Sequence, residues 1–552
     1  MQTGGKMTGK TPTLSRSDIG RLLNRGYSAF RQGAYNETAA VCKTILQAYP
    51  KTKEAHFLMG LLGLEKRQFG IARDAFKNVV VLDETHTPAW AQLARVFVNL
   101  GQYSNANKAL DRAIKLGTDD PLVEDVIGTV YSLLGDQTKA LEWYDRANAH
   151  SPTSMFELSR AKSLTFLGRI QEARTALTRF LEAYPDVSQG HWMLARLEKV
   201  TDDTHVAEME ELLKKLGNND HHQAMLSYAL GKEYEDLSQP DKAFEAYSRG
   251  AAARRREVPY NEQSEDALYK SLPQLYSRDW YDNQTEEEGG QGFDDRSPIF
   301  IIGQPRTGTT LVERIITAHS EVHSAGELQQ FGMAIKRMTG ITTPGPVGLE
   351  GMTSAVSLNL ETLGKLYIET SQMMRGQEPH FVDKMPINYL YAPLIAKSLP
   401  NAKIIHITRD PADSCFASFK QLFADAYFHS YDQEEMARHH LRYRELMKHW
   451  RALLGDRMLE VSYEDVVSDL EGQARRIINY LDLDWQDACA KFHKQTGAVT
   501  TASAVQVREK AHTRSVGLWR QYQEHLGPML RALKYNVEEK EQQSGYKNQK
   551  SE

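Results

Sequence analysis

The chain has few cysteines, little net charge and no long apolar run, and each of these absences excludes a class of protein. Its three cysteines among 552 residues, Cys42, Cys415 and Cys489, are far apart and have no metal-ligand spacing. This argues against a disulfide framework and for a reducing compartment. The net charge of −5 argues against a general nucleic-acid binder, although local clusters can still bind small anions.

The N-terminal residues contain lysines but lack the apolar segment that a signal peptide requires. No later stretch approaches the length of apolar run that spans a bilayer. We therefore expect a cytoplasmic protein. Because 552 residues are too many for one hydrophobic core, we also expect two or more domains.

The first half of the chain contains an internal repeat. A marker residue recurs at steps of 34, 34, 34 and 33 residues, at Gly33, Arg67, Gly101, Gly135 and Gly168. Four markers are followed five residues later by an alanine, at Ala72, Ala106, Ala140 and Ala173. Prolines recur at a similar period, at Pro88, Pro121, Pro152 and Pro185.

This pattern resembles that of tetratricopeptide repeats, in which each unit is a pair of antiparallel helices and small residues lie where the helices approach closely. A further unit runs from Ala229 to Tyr247. We expect about six to seven such hairpins across residues 17–252, forming an α-solenoid. Its concave face would bind a peptide or another protein, or dock on the second domain.

Changes in composition predict the remaining boundaries. Residues 1–16 are expected to be a flexible N-terminus, and residues 253–297 a helical and acidic linker that ends in a glycine-rich stretch. A second domain would occupy residues 298–535. The polar residues 536–552 are expected to be disordered.

The second domain begins with the pattern of a strand, a glycine-rich loop and a helix. Residues 299–303 form an apolar run that predicts a buried parallel strand. The segment GQPRTGTT begins at the last residue of this run, Gly303. Gly303 and Gly308 are spaced as in the phosphate-binding loop G-x-x-x-x-G-K-[ST]. In that loop, backbone N–H groups and a helix N-terminus face an anion.

The loop lacks the lysine of that motif. Thr309 occupies the lysine position, and the side-chain cation within the loop is Arg306. A nucleoside triphosphate needs lysine and Mg²⁺ against its β and γ charges, whereas a less charged phosphosulfate can be held by an arginine, hydroxyls and amides. The motif resembles the 5′-phosphosulfate loop of the sulfotransferases, whose donor is 3′-phosphoadenosine 5′-phosphosulfate (PAPS). The resemblance implies donor contacts from Pro305, Arg306, Thr307, Gly308, Thr309 and Thr310.

The resemblance also implies two residues that carry the chemistry. In the family, notably in the protein-tyrosine sulfotransferases, a glutamate shortly after the loop is proposed as the base that removes the acceptor proton, and Glu327 matches it. His319 and His323 are alternative bases, since cytosolic relatives use histidine, and Glu327 could instead be a capping or solvated residue. Lys384, in D-K-M-P, matches a family lysine that neutralises charge on the leaving group.

Arg409 follows the apolar strand KIIHIT and resembles the arginine that clamps the donor 3′-phosphate. Its alternative is a structural ion pair with an aspartate of the same segment. The family serine eight residues later is Ala417 here. Ser418, rotated by about 100° along a helix, or Ser414 would have to replace it.

Two further matches lie near the end of the domain. Tyr463, in S-Y-E-D, matches a tyrosine of the nucleotide site, and its alternative is a core tyrosine. Ser503 matches a serine that covers the nucleotide. The basic residue that precedes the family tryptophan is Leu518 here, so that charge would come from Arg508, Lys510 or Arg514.

The sequence thus predicts an all-α tetratricopeptide solenoid followed by a P-loop-like three-layer α/β domain with a central parallel sheet. The two together resemble the bacterial tetratricopeptide-repeat sulfotransferases. The resemblance implies transfer of a sulfonyl group from PAPS, without a metal, to a hydroxyl of a protein tyrosine, a glycan or a small molecule, with repeats that hold a protein or substrate. The alternatives are a P-loop kinase and a repeat scaffold whose second domain has lost catalysis.

Overall fold

A computed structural model describes residues 15–150, 155–283, 291–341, 345–424, 426–495, 497–501 and 504–535. Ser503 and residues 536–552 of the predicted tail lie outside the described residues, as do residues 1–14. Contacts divide the chain into two compact units, residues 1–152 and 153–552. The division falls within the predicted repeats, and none of the described helices is long and apolar enough to cross a bilayer.

The described part of the first unit consists of paired helices. They are α1 (Arg16–Arg31), α2 (Tyr35–Ala48), α3 (Lys53–Glu65), α4 (Phe69–Leu82), α5 (Thr87–Asn99), α6 (Tyr103–Leu116), α7 (Pro121–Leu133) and α8 (Gln137–His150). Each odd-numbered helix packs on the helix that follows it. Pro88 and Pro121 occupy the first turns of α5 and α7, where the missing N–H costs no hydrogen bond.

The repeated marker residues lie in the turns within these pairs and not at the helix crossings. Gly33, Gly101 and Gly135 have φ values of 73°, 65° and 89°, in the left-handed region that glycine adopts without strain. Arg67 takes the same conformation with a φ of 55°, which explains why it keeps the period of the glycines. The alanines that follow are fully buried between the helices.

The second unit contains further helices and the sheet. Before the sheet lie α9 (Phe156–Phe166), α10 (Ile170–Ala183), α11 (Ser188–Ala195), α12 (Thr204–Leu216), α13 (Asp220–Asp236), α14 (Pro240–Glu257), α15 (Glu262–Leu275) and α16 (Arg278–Asp282). After the first strand lie α17 (Thr309–Ile316), α18 (Gln330–Thr339), α19 (Leu349–Ala355), α20 (Leu360–Ser371), α21 (Ala392–Ser398), α22 (Pro411–Phe419), α23 (Gln433–Leu454), α24 (Tyr463–Ser468), α25 (Leu470–Tyr480) and α26 (Gly527–Ala532).

The sheet has five parallel strands in the order β2-β3-β1-β4-β5. The strands are β1 (Pro298–Gly303), β2 (Val322–Ser324), β3 (His380–Asp383), β4 (Lys403–Thr408) and β5 (Met458–Ser462). Every residue of β1 is buried. Its alternate residues enter two different apolar cores, Phe300 and Ile302 on one face and Ile299 and Ile301 on the other. Helices therefore cover both faces, which confirms the predicted three-layer fold.

The segment predicted as a linker contributes to one of these cores. Tyr269 of α15 and Tyr276, which caps the C-terminus of that helix, are buried in the same cluster as Phe300. The Tyr269 hydroxyl lies 2.5 Å from that of Tyr389, and the Tyr276 hydroxyl donates to the carbonyl oxygen of Met352 at 2.7 Å. Helix α15 is therefore an integral part of the α/β layer structure.

Candidate active site

The carboxyl ends of the parallel strands meet at one edge of the sheet, where ligands bind in open α/β folds. The glycine-rich loop follows β1, Lys384 directly follows β3, Arg409 directly follows β4 and Tyr463 directly follows β5. Glu327 lies three residues beyond β2. The topology thus brings together the described residues that the sequence predicts for the site.

The backbone of the loop is held in the shape of an anion-binding turn. Gly308 is the N-cap of α17 with a φ of 97°, and it has no side chain that could occupy the first amides of the helix. The Thr307 Oγ1 donates to the carbonyl oxygen of Gln304 at 2.7 Å and braces the loop. Thr309 and Thr310 begin the helix, and both are buried. The amides and the helix dipole therefore favour a negative charge at this point.

Arg306 brings a side-chain cation to the loop. Its φ is 65°, and its Nη2 donates to the Oε1 of Gln506 at 3.0 Å. Burial lowers the pKa of Arg306 to about 10, and the positive charges of Arg409 and Arg196 add to this effect. An anion bound beside these cations would relieve both the burial cost and the mutual repulsion.

Glu327 and Lys384 form an ion pair beside the loop. The Lys384 side chain is only 1% exposed, whereas 44% of the Glu327 side chain faces solvent. The Lys384 amide donates to the carbonyl oxygen of Gly326 at 2.9 Å, which fixes the two segments against each other. The pair therefore combines a buried cation with a carboxylate that an incoming hydroxyl can reach.

Two buried carboxyl groups that sequence reasoning missed lie next to this pair. Glu313, on α17, accepts a hydrogen bond from the Ser324 Oγ at 2.7 Å, and burial raises its pKa. Asp383 accepts from the Tyr367 hydroxyl at 3.0 Å and from the Leu328 amide at 3.3 Å. Burial raises the pKa of Asp383 to about 7. Glu313 lies four residues after Thr309, on the same face of α17. This spacing could have identified Glu313 from the sequence.

The two histidines proposed as alternative bases have other contacts. The Nε2 of His319 donates to the carbonyl oxygen of Asp484 at 2.8 Å, and its Nδ1 accepts from the Glu321 amide at 3.2 Å. Both of its ring nitrogens are thus engaged. The Nδ1 of His323 lies 3.5 Å from a carboxylate oxygen of Glu378. The geometry favours Glu327, which contacts Lys384, over either histidine.

Arg409 and Tyr463 form the opposite side of the site. The Arg409 guanidinium lies 4.6 Å from the centroid of the Tyr463 ring, a cation–π contact. It donates to the carbonyl oxygens of Arg306 at 2.9 Å and Ser515 at 2.5 Å. The Tyr463 ring also borders the loop, because a Cβ placed on Gly308 would lie 2.5 Å from its Cδ2.

The alternative ion pair of Arg409 with Asp410 or Asp413 is not formed among the described residues. Asp410 caps α22 and accepts from the Tyr535 hydroxyl at 2.6 Å. Asp413 accepts from the main-chain amide of Gly517 at 2.6 Å. Within the described part of the chain, the Nε of Arg409 is buried without a hydrogen-bond partner, so it could donate to a bound anion.

The serines proposed to replace Ala417 are both fully buried on α22. The Ser418 Oγ donates to the carbonyl oxygen of Pro305 at 3.4 Å, so it faces the loop backbone. The Ser414 hydroxyl has no hydrogen-bond partner among the described residues. Ala417 itself is partly exposed. The geometry thus gives Ser418 a role in supporting the loop and leaves the hydroxyl of Ser414 available.

The basic residues near Leu518 differ in their surroundings. Arg508 donates from Nη2 to the carbonyl oxygen of Phe166, at the end of α9, at 2.8 Å. Arg514 pairs with Glu509 at 2.5 Å on the surface. Lys510 is exposed. Arg508 therefore ties the segment beside the loop to the repeats.

Comparisons with known proteins agree with this architecture. Residues 298–487 match the model of a sulfotransferase family, and residues 91–154 and 158–199 match a tetratricopeptide repeat. An uncharacterized protein of Aquifex aeolicus is 26% identical over 381 residues, which cover 67% of this chain and 49% of that protein. The chain therefore spans about half the length of this relative.

Protein-tyrosine sulfotransferase A of Caenorhabditis elegans is 25% identical over 244 residues, covering 40% of this chain and 60% of that protein. A solved sulfotransferase domain from the curacin biosynthetic pathway is 17% identical with a TM-score of 0.32, covering 44% of this chain and 99% of that domain. The two family matches show that the chain carries a sulfotransferase-family domain behind tetratricopeptide repeats.

Proposed function

We propose that this chain is a PAPS-dependent sulfotransferase that moves a sulfonyl group to an acceptor hydroxyl. The observation that carries the proposal is the loop without a lysine, placed between the Glu327–Lys384 ion pair and the stacked Arg409–Tyr463 pair. This arrangement offers amides and guanidinium groups for a nucleotide with two separate anionic groups. It also offers a base and a cation at the point where transfer would occur.

The donor would lie across the loop, from β1 towards β4 and β5. The amides of α17, with Arg306, Thr309 and Thr310, would hold the 5′-phosphosulfate. Arg409 would hold the 3′-phosphate by charge-assisted hydrogen bonds from its forked guanidinium. Tyr463 would keep that guanidinium flat against its ring.

In the transfer step, the acceptor oxygen forms a bond to sulfur as the bond from sulfur to the phosphate oxygen breaks. Glu327 would take the acceptor proton. Lys384 would meet the negative charge that develops on the leaving adenosine 3′,5′-bisphosphate (PAP). Because the two side chains begin as a pair, neutralising the carboxylate frees the ammonium group when the leaving group needs it. We propose that no metal takes part.

For the acceptor, we propose a tyrosine hydroxyl of a peptide, with the repeats holding the peptide. The support is the similarity to protein-tyrosine sulfotransferases and the exposure of Glu327, which leaves room for a large acceptor at the base. A glycan or a small phenol is the alternative, and both belong in the first acceptor screen.

The first test is calorimetric titration of the full chain with PAP, beside ADP with Mg²⁺. We expect binding of PAP alone, with the same affinity in excess chelator. The second is transfer of ³⁵S from labelled PAPS to a tyrosine-containing peptide. Binding of ADP with Mg²⁺ would favour a kinase, and PAP binding without transfer to any acceptor class would favour a scaffold that has lost catalysis.

A further inference from the structure

Within the second unit, the repeat helices pack directly on α22, the helix that follows Arg409. The Tyr228 hydroxyl of α13 donates to the carbonyl oxygen of Phe419 at 3.0 Å. Phe244 of α14 stacks on Phe419, with ring centroids 6.1 Å apart. Lys420 pairs with Glu235 at 2.7 Å. Phe244 also stacks on Phe416, with ring centroids 6.5 Å apart. The repeats therefore contact the residues on either side of Ala417, which lies at the predicted 3′-phosphate position.

One repeat residue brings a positive charge to this region. Arg196 directly follows α11, and its guanidinium lies 4.5 Å from the centroid of the Trp192 ring. Trp192 in turn packs against the apolar cluster that contains Phe416 of α22. Arg196 is partly exposed, and desolvation lowers its pKa to about 10.

Arg196 also lies within electrostatic range of the loop. Its charge acts on Arg306 together with that of Arg409, and Arg409 donates to the carbonyl oxygen of Arg306 at 2.9 Å. The charges of Arg196, from the repeats, and of Arg409, at the end of β4, therefore both act on Arg306 of the loop. Like charges in a partly buried site repel each other, and a phosphate monoester, with a charge of about −1.5 to −2, would relieve that repulsion.

We propose that Arg196, delivered by the repeats, binds the donor 3′-phosphate together with Arg409. The proposal rests on the proposed function and deepens it. It explains how the site holds a second phosphate although Ala417 supplies no hydroxyl there. It also makes the last repeats a part of the donor site, because the catalytic domain alone lacks this cation.

The test compares two nucleotides that differ in the 3′-phosphate. Full-length Arg196→Ala and wild type are titrated calorimetrically with PAP and with adenosine 5′-monophosphate. Loss of a charge-assisted phosphate contact should weaken PAP binding by about 10- to 100-fold and leave the monophosphate unchanged. Arg196→Lys, which keeps the charge but not the fork, should fall between the two. Arg179→Ala, which removes a half-exposed repeat arginine that pairs with Glu157 at 3.5 Å, should bind both nucleotides as wild type does.

The outcomes separate this inference from the function on which it rests. Equal PAP affinity in wild type and Arg196→Ala would overturn the role of Arg196 and leave the sulfotransferase proposal standing. An equal loss for both nucleotides would place Arg196 elsewhere and would also overturn the inference. Wild type that binds no PAP would overturn both. Thermal unfolding checks each variant, and if the alanine variant unfolds, the lysine variant decides by the same comparison.

Discussion

The two halves of the sheet edge, on either side of β1, present different chemistry to the same loop. The half formed by β2 and β3 carries Glu327 and Lys384, which pair with each other. The half formed by β4 and β5 carries Arg409 and Tyr463, where the guanidinium bonds main-chain carbonyls and stacks on a ring. A carboxylate can take up a proton in a reaction, whereas a guanidinium stays charged. In the proposed mechanism, the strand order thus separates proton transfer and charge neutralisation from nucleotide binding.

Removal of the proposed base, Glu327, should have the largest effect on activity, and this effect should be confined to the half of the site formed by β2 and β3. In Glu327→Gln, we expect kcat to fall by about 10²- to 10⁴-fold, because the amide cannot accept the acceptor proton. PAP affinity should not change, since Glu327 lies on the β2 side. Transfer of ³⁵S and calorimetry measure the two quantities. Glu321→Gln, at an exposed position before β2, is the control, and a parallel loss of PAP affinity would contradict the separation.

Lys384→Met should lower kcat by about 10²- to 10³-fold, the cost of removing one group that stabilises transition-state charge. Methionine can fill the space of a side chain that is 1% exposed, and Glu327 keeps contact with solvent. Single-turnover transfer from labelled PAPS measures the chemical step directly. Lys365→Met, an exposed lysine of α20, should behave as wild type. A wild-type rate in Lys384→Met would remove Lys384 from the chemistry.

On the other half, Arg409→Ala should weaken PAP binding by about 10- to 100-fold through the loss of charge-assisted hydrogen bonds. At saturating donor, kcat should fall much less than in Glu327→Gln. Arg409→Lys should recover only part of the affinity, because an ammonium group cannot form the bidentate contact. Arg451→Ala, which removes an arginine that is 65% exposed and pairs with Glu460, is the matched control. An Arg409→Ala variant that binds PAP normally but turns over slowly would reverse the roles of the halves.

The parts of this architecture that the sequence could predict are those with local signals. The 34-residue period predicts the repeats, because each turn requires a residue in the left-handed conformation. Arg67 also adopts this conformation. The apolar strand and the spacing of Gly303 and Gly308 give the loop, because the turn and the helix N-terminus follow from residues adjacent in the chain. Residues directly after strands, such as Arg409, then meet because parallel strands share one carboxyl edge.

The parts that could not be predicted depend on packing between distant segments. Nothing near Arg196 in the sequence indicates that its charge acts on Arg306. The same holds for α15, whose acidic and polar composition resembled a linker although Tyr269 and Tyr276 enter the core. The different surroundings of Ser414 and Ser418 also follow from the position of α22 and not from its sequence.

The smallest expected effect is on stability, and its dependence on pH should differ between variants of the two halves. The folded protein holds the proton of Asp383 up to a pKa of about 7, against an ordinary value of 3.8. The folded state therefore binds more protons than the unfolded chain in this range, so this contribution to stability is lost as pH rises from about 4 through 7. Asp383→Asn has no carboxyl proton to lose. Its free energy of unfolding in urea should therefore rise relative to that of wild type between pH 5 and pH 8. Arg409 does not itself titrate, so Arg409→Ala should differ from wild type with a weaker pH dependence, which arises through the pKa of Asp413 that the Arg409 charge lowers. A constant difference for Asp383→Asn would mean that the β3 side holds its carboxyl groups ionised, and the contrast between the halves would then lie in geometry alone.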